Sequence, residues 1–397
     1  MPFWHENCFD PCIKFRSFRN NEPPHLSPTA MMPKTILPIQ TLAAIFLTTC
    51  SISIASAQST LYVGIYNQEQ VLRYDESGNP ITPTPWAGNG SALSPAVIRS
   101  EGIACGMSFP TTAQEPVANP IFIANTQTET IEIADANAAT GTNPIVNANF
   151  ITGLSGAANV ALSDNGQDLY VAQETGNKIS EYNALTGALV ASTAFTGAHD
   201  VVVGSDGSVY VTAYGASNPT SLGVVRLDAN LDASSETSFI AAGNNGLNHA
   251  TGMVFDSKGN LWVADVLHPI STTPSTSNFV SEYSSTGQYI LTGTEPQTGP
   301  NTNNLLTVFG LSLGPDGNIY AASFNGHEIT EINTTTDTAS TFITLPSGDE
   351  PKYATWESDC VTYSAVPEPR TYGVIFLGAT MLLLGFRRFR QTATTNR

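Results

Sequence analysis

Lysine and arginine are scarce in this chain, which carries 15 of them against 33 aspartates and glutamates in 397 residues. Between Gln58 and Val366 the shortage is greater, with 6 Lys and Arg against 29 Asp and Glu, a net charge of −23. Because phosphate groups are bound through Lys and Arg, a surface this acidic excludes nucleic acid and anionic lipid as partners. The acidity suits a solvated extracellular protein. It could attract divalent cations loosely, or simply keep the protein soluble.

Long apolar runs are also rare, and one of the two lies near the N-terminus. Segment 31–57 has a weakly basic start, an apolar stretch and the small-x-small motif Ala55-Ser56-Ala57 at its end. This order is typical of a signal peptide, and Gln58 is then the mature N-terminus. Residues 1–30 have no periodicity, and we interpret them as an upstream extension from a mis-assigned start. Lipidation at Cys50 is the alternative, disfavoured by the threonine before it.

The second apolar run, 372–386, is near the C-terminus. Its 15 or so residues make roughly 22 Å of helix, which is short for a membrane span of about 20 residues. Before it stands the motif Val366-Pro367-Glu368-Pro369, and after it a basic tail, 387–397. The cations next to the run are Arg387, Arg388 and Arg390. Such cations stay on the cytoplasmic side and leave the bulk of the chain outside.

This order of motif, short apolar helix and basic cluster resembles the PEP-CTERM sorting signal. In that family the signal marks exported bacterial proteins for an exosortase, a membrane protease-transpeptidase that removes the tail. The resemblance implies that 366–397 is a sorting segment with one transmembrane helix. The chain would be exported through the inner membrane, anchored transiently, and then found at the cell surface or outside. An ordinary C-terminal membrane anchor is the alternative.

Only two of the five cysteines, Cys105 and Cys360, lie between the two terminal segments. An exported protein meets an oxidising compartment, where a pair of cysteines is more often joined than free. We therefore expect a disulfide that ties the first quarter of the domain to its end. Two buried thiols are the alternative.

A repeat organises the middle of the chain. Its unit has an Asn-Gly or Asp-Gly pair, or in one copy Lys-Gly, followed by an aliphatic residue and an aromatic one. The four clear copies are Ser163–Ala172, Gly204–Ala213, Asp256–Asp265 and Gly314–Ser323. The glycine of the pair supplies the positive φ that a tight hairpin turn requires. An apolar first strand can therefore turn back into a second strand that carries the aromatic residue. A third and a fourth strand follow, and two weaker units begin near Leu61 and Glu101.

The aromatic markers of these units recur every 40 to 60 residues, which predicts propeller blades of four strands. They are Tyr62, Phe122, Tyr170, Tyr210, Trp262 and Tyr320. The first unit lacks its first strand, which either Tyr353–Trp356 or Cys360–Tyr363 could donate. We therefore expect an all-β, six-bladed propeller over 58–365, closed by pairing of its N- and C-terminal strands. Seven blades is the alternative.

The repeat resembles those of NHL-type six-bladed propellers and of the neighbouring regucalcin/gluconolactonase and virginiamycin-lyase families. This resemblance implies the fold more than the activity, because propellers host binding, hydrolysis and scaffolding alike.

Polar residues at the starts of the first strands are expected to crowd one mouth of the central channel. The candidates for ligand binding are Glu101, Asn159, His199, Asp200 and His249. Carboxylates, imidazoles and an amide in one ring could bind a divalent metal, Ca²⁺ or Zn²⁺, or act as an acid/base pair. The alternative is that these residues merely line a water-filled mouth.

The gluconolactonase-like family holds its metal with a Glu, two Asn and an Asp. Glu101 matches that Glu, Asn159 falls at one Asn, and Asp200 lies near the other, so these three are the candidate metal ligands. The position of the family's Asp is occupied by Thr251, which is a departure from the pattern. The virginiamycin-lyase family uses a channel His and Glu, a role that His249 and Glu101 could imitate as catalytic residues.

Two functions are therefore compared. The first is a non-enzymatic surface or extracellular-matrix propeller that binds a polysaccharide, a peptide or another exported protein. Its processing partners would be signal peptidase and exosortase. The alternative is a secreted lactonase-like or lyase-like enzyme with a metal at the channel mouth. The incomplete match to the lactonase ligands favours the first.

Overall fold

The computed structural model describes part of the chain, namely residues 59–82, 85–88, 99–105, 120–138, 142–213, 223–244, 247, 249–266, 279–290, 305 and 307–357. The chain divides into two compact units, Met1–Ser56 and Ala57–Arg397, and all described residues belong to the second. The predicted signal peptide, Cys360 and the predicted sorting segment lie outside the described residues. None of the described residues belongs to a helix long and apolar enough to cross a membrane.

The described residues form antiparallel sheets and one short 3-10 helix, η1 (Ala233–Ser235). Each sheet is one blade, and successive blades follow one another along the chain. Blade 1 contains β1 (Leu61–Ile65), β2 (Gln70–Tyr74) and β3 (Ala87–Gly88). Blade 2 contains β4 (Ser100–Cys105), β5 (Pro120–Asn125), β6 (Thr130–Asp135) and β7 (Ile145–Ile151). Blade 3 contains β8 (Ala157–Leu162), β9 (Asp168–Gln173), β10 (Lys178–Asn183) and β11 (Leu189–Ala194).

The second half of the chain repeats this pattern. Blade 4 contains β12 (Ala198–Val203), β13 (Val209–Ala213), β14 (Val224–Leu227) and β15 (Thr237–Ile240). Blade 5 contains β16 (Ala250–Phe255), β17 (Leu261–Asp265) and β18 (Phe279–Tyr283), and the segment after residue 290 lies outside the described part. Blade 6 contains β19 (Val308–Leu313), β20 (Ile319–Ser323), β21 (Glu328–Asn333) and β22 (Thr338–Thr344).

The ring is closed by the last strand, β23 (Pro351–Trp356), which joins blade 1 beside β1. In this pairing Leu61 lies opposite Trp356 and Val63 opposite Ala354. The first of the two predicted donor segments therefore completes blade 1. The six-bladed, all-β propeller closed by its chain ends is confirmed.

The four predicted hairpin turns are present. Their glycines, at positions 166, 207, 259 and 317, have φ between 69° and 82°. In blade 4 the amide of Gly207 donates to the carbonyl of Gly204 over 2.8 Å. The Asp206 carboxylate of the same turn accepts from the amide of Ser208 at 3.0 Å. An L-residue at such a φ is strained, which explains the glycine in every copy.

Apolar side chains fill the six interfaces between adjacent blades, because neighbouring positions on a strand face opposite sides of the sheet. The aromatic markers illustrate this, since each one packs into the interface with the following blade. Tyr62 of blade 1 packs with Trp86 and with Ile103 of blade 2, so it lies in the interface between these two blades. At the joint, Tyr320 of blade 6 meets Trp356, with ring centroids 5.0 Å apart. The same packing therefore continues through the point of closure.

Candidate functional site

The central channel is surrounded by the innermost strand of each blade, β23, β4, β8, β12, β16 and β19. Each of these strands bulges near its start, where it has one residue more than the second strand with which it pairs. The bulged residues form what we call the mouth layer: Glu101, Ala158, His199, Thr251, Phe309 and Lys352. The residues after them form the second layer: Gly102, Asn159, Asp200, Gly252, Gly310 and Tyr353. A bulge changes the direction of the side chains near it, and here the bulges of all six inner strands lie at the same end of the channel.

Glycine in the second layer lets the inner strands approach one another. A Cβ on Gly102 would overlap the side chain of Asn159, and one on Gly252 would overlap the carbonyl of Phe309. The narrow channel at this depth therefore depends on residues without a side chain.

An ion pair spans the mouth layer between blade 1 and blade 2. The Lys352 ammonium lies 2.9 Å from Oε1 of Glu101, and both side chains are about nine-tenths buried. The same ammonium lies 4.8 Å from the ring centroid of Tyr66 and 5.1 Å from that of Phe309. A cation between aromatic faces is stabilised by their quadrupoles, particularly when it is desolvated. Glu101 is thus neutralised by a cation from the chain itself.

His199 lies on the opposite side of the mouth layer and is buried. Its ring meets the edge of Phe309 at 5.7 Å and lies 6.4 Å from Tyr353. Its Nδ1 is 3.6 Å from Oε2 of Glu174, which is an ion-pair distance and longer than a hydrogen bond. Burial would raise the pKa of Glu174, but His199 and Lys352 outweigh it and the net pKa is lowered.

Half-buried aromatic and charged residues form a rim above the mouth layer. Tyr66 and Phe324 occupy the first position of the turns after β1 and β20, with ring centroids 6.2 Å apart. Phe324 also packs edge-on against Phe309 at 5.2 Å. The Arg99 guanidinium covers Tyr66 at 5.2 Å and pairs with Glu69 at 3.2 Å. The rim thus carries accessible aromatic surface next to paired charges.

Asn159 and Asp200 lie in the second layer, within the wall between blades. The Asn159 side-chain amide donates to Oδ1 of Asp200, which also accepts from the amide of Val201 at 2.9 Å. Oδ2 of Asp200 accepts from the amide of Met253 on the next inner strand. One carboxyl group therefore links three consecutive blades.

The burial of these groups changes their titration. Desolvation raises the pKa of Asp200 to about 8, although its three N–H donors act in the opposite direction. Burial also raises the pKa of Tyr353 well above its ordinary value, with Asp200, Glu101 and Glu174 adding to the effect. Burial of this kind favours the uncharged form of both groups.

His249 is the residue before β16 and belongs to a more exposed position than the mouth layer. Its amide donates to the carboxylate of Asp265 at 2.6 Å, which caps the start of the strand. The other four predicted site residues lie inside the inner strands. The structure thus brings Glu101 and His199 into one layer, Asn159 and Asp200 into the next, and leaves His249 outside both.

The predicted metal ligands do not fit a divalent ion. Such an ion needs several oxygen or nitrogen donors that face one point and are free to coordinate it. Here Oε1 of Glu101 faces the Lys352 ammonium, and both oxygens of Asp200 accept N–H bonds. Within the described ranges no three His, Cys, Asp or Glu side chains are grouped as a metal would require.

Sequence reasoning missed Lys352, Phe309, Tyr353 and the rim residues. Lys352 and Phe309 occupy the mouth-layer position of their strands, as Glu101 and His199 do. Tyr353 occupies the second-layer position, which is glycine in three of the blades. Aligning the inner strands on Glu101-Gly102 and Phe309-Gly310 would have shown them. No local motif marks the rim residues, because they reach the mouth from turns on other strands.

No protein-family model and no curated protein matches this sequence. Among solved structures, a chain of a nidogen/laminin complex is 12% identical with a TM-score of 0.50, covering 77% of this chain and 100% of that one. Virginiamycin B lyase from Staphylococcus aureus is 12% identical with a TM-score of 0.47, covering 75% and 85%. A gluconolactonase from Xanthomonas campestris is 11% identical with a TM-score of 0.43, covering 64% and 80%. At such identities a likeness bears on the propeller fold alone.

Proposed function

We propose that this protein is an exported β-propeller of the cell surface or extracellular matrix that acts as a binding module and not as an enzyme. The observation that carries the proposal is the state of the mouth layer. Its Glu101 carboxylate is paired with Lys352, and the ring of His199 packs against Phe309. An active site needs convergent acid, base or electrophilic groups with room for a reacting atom between them. Because the described mouth holds Glu101 in an ion pair and His199 buried against an aromatic ring, we do not expect the two to act as an acid/base pair.

The ligand we favour is an extracellular polysaccharide, with an exported protein as the other candidate. The support is the rim, where the half-buried rings of Tyr66 and Phe324 lie near each other and Arg99, paired with Glu69, covers Tyr66. Aromatic faces with polar groups around them provide apolar contact and oriented hydrogen bonds together. An acidic protein surface also repels nucleic acids, which narrows the class of polymer.

The export part of the proposal is supported by the sequence. Signal peptidase would cleave after Ala57, and an exosortase would remove segment 366–397. Until that cleavage, the C-terminal helix would hold the propeller close to the inner membrane. Because β23 ends at Trp356, only a short connection separates the closed ring from the sorting motif.

Binding and turnover are tested together on the purified full-length protein. We expect it to co-sediment with extracellular polysaccharide and to leave lactones and polysaccharide unchanged. Tyr66→Ala and Phe324→Ala should each reduce the sedimented fraction severalfold, whereas Tyr289→Ala, a half-buried tyrosine of blade 5, should not. Turnover that disappears in Glu101→Ala and His249→Ala would overturn the proposal.

Sorting is tested in cells. Replacement of Pro367, Glu368 and Pro369 by alanine is expected to leave the chain membrane-bound at full mass, while the parent chain is processed and released. Release of the variant at the same rate as the parent would show that the tail is an ordinary anchor or is removed in another way.

A further inference from the structure

A cavity of about 240 Å³ occupies the central channel beyond the mouth layer. It begins at the second layer, with Asn159 and Tyr353, and continues along the later residues of all six inner strands. Its volume is about eight times the ~30 Å³ that one water molecule occupies in the liquid. The cavity is therefore large enough for a small organic molecule.

Most side chains around this cavity are aliphatic, although polar and apolar atoms share its exposed surface about equally. The inner strands contribute Ile103, Val160, Val201, Met253 and Leu311, among others. Among the described lining residues, Asp164 alone is charged, and it is exposed. With no cation and no buried carboxylate in this set, the cavity has no charged group that would pair with an anion or a cation inside it. An uncharged occupant fits best.

Two buried hydroxyl groups line the cavity. Tyr353 is 4% exposed and Ser312 is 2% exposed. In the described part of the chain, neither Oη of Tyr353 nor Oγ of Ser312 has a hydrogen-bond partner. A buried polar group left without a partner costs about 1–3 kcal/mol. The two residues belong to neighbouring inner strands, β23 and β19.

We propose that this cavity binds a small uncharged molecule with an apolar body and an acceptor oxygen, such as a ketone, an ester or an ether. The hydroxyls of Tyr353 and Ser312 donate to the oxygen, and the aliphatic walls contact the body. The channel-facing edges of the inner strands add backbone polar groups. This site is separate from the rim and does not depend on the function proposed for it.

The experiment uses two probes with the same number of non-hydrogen atoms, cyclohexanone and methylcyclohexane. The full-length chain, carrying ¹³C-labelled Ile, Leu, Val and Met methyl groups, is titrated and followed by NMR. We expect cyclohexanone to shift the methyl signals of the cavity walls saturably, and methylcyclohexane to bind at least tenfold more weakly. The double variant Tyr353→Phe with Ser312→Ala, which keeps the volume nearly unchanged, should weaken cyclohexanone binding at least tenfold.

The matched control is Tyr283→Phe, which removes a buried hydroxyl that bonds to the Asn244 carbonyl at 3.4 Å, away from the cavity. It should bind cyclohexanone like the parent, and melting curves confirm that all variants are folded. The proposal is overturned if cyclohexanone causes no saturable shifts, since solvent then satisfies the hydroxyls. Shifts spread outside the cavity, or equal affinity in parent and double variant, overturn it as well.

Discussion

At the scale of single residues, Lys352 has the most unusual position. It is one of only six Lys and Arg residues between Gln58 and Val366, yet it is buried at the channel mouth between Glu101 and two aromatic rings. Burying an ion pair requires desolvating both groups, so the pair adds little net stability over an apolar pair. What it provides is a specific link between blades 1 and 2.

Removing one partner of this pair should lower the free energy of unfolding much more than removing both. Lys352→Met leaves the Glu101 carboxylate buried and uncompensated, and we expect the free energy of unfolding to fall by about 3–5 kcal/mol. The double variant Glu101→Gln with Lys352→Met should regain most of that loss. Urea titration measures all three chains.

The control for this prediction is Arg226→Met, which breaks the exposed pair with Asp206 (2.7 Å, side chains 44% and 51% exposed). Solvent screening limits its effect to no more than about 1 kcal/mol. A single variant no worse than this control, or a double variant as unstable as Lys352→Met, would contradict the prediction.

Asp200 should make stability depend on pH. Burial raises its folded pKa to about 8, above the unfolded value, so the folded state binds the extra proton. Its contribution is fully present below about pH 4 and is lost as pH rises towards 8, on the order of 5 kcal/mol at most. Urea midpoints at several pH values should therefore fall with rising pH, and less steeply in Asp200→Asn. The control Glu236→Gln, at an exposed carboxylate, should keep the parent slope. An equal slope in both variants would refute the assignment.

At the scale of elements, the closing strand β23 has the largest role. It completes blade 1 through its pairing with β1, and it also supplies Lys352 and Tyr353 to the channel. Its last residue, Trp356, is fully buried against Tyr320 in the interface between blades 6 and 1. One strand therefore contributes to blade 1, to the interface between blades 6 and 1, and to the channel.

Truncation separates this role from that of the tail. A chain that ends at Glu350 lacks β23, leaves β1 as an open edge and exposes the last interface, so we expect it to lose cooperative unfolding and to aggregate. A chain that ends at Ala365 keeps the strand and should unfold cooperatively like the parent. Circular dichroism during heating distinguishes them, and similar transitions in both truncations would contradict the proposed closure.

At the scale of the whole molecule, the disulfide at Cys105 lies next to the end of the strand that closes the propeller. Cys105 is disulfide-bonded, and its Sγ lies 3.7 Å from the carbonyl of Trp356, at the end of β23. The predicted partner, Cys360, follows four residues later and lies outside the described residues. The pairing with Cys360 stays a prediction.

A bridge between these two cysteines would close a loop of most of the domain. Constraining so long a loop in the unfolded chain should stabilise the protein by about 5 kcal/mol, which Cys105→Ser and Cys360→Ser would each remove. Alkylation followed by mass measurement tests the bridge directly, because neither thiol should react before reduction. Two cysteines that alkylate without reductant would disprove it.

The repeat in the sequence was sufficient to predict the architecture. In blades 3 to 6 a glycine at φ above +60° is followed three or four positions later by an aromatic residue, as at Gly207 and Tyr210, so the repeat shows these local requirements directly. Because the first unit lacks its first strand, the closing strand could also be narrowed to two segments. The hairpin features depend on residues that are neighbours in sequence, so they can be recognised from the sequence alone.

The contacts of the site depend on tertiary structure. Glu101 and Lys352 are about 250 residues apart in sequence, and only closure of the ring and the bulges of the inner strands bring their side chains to 2.9 Å. In the described structure Glu101, a predicted metal ligand, forms this ion pair, and Asp200, another predicted ligand, links neighbouring blades. Whether a polar residue faces a ligand or a neighbouring blade depends on which strands surround it, and those strands come from the far ends of the chain.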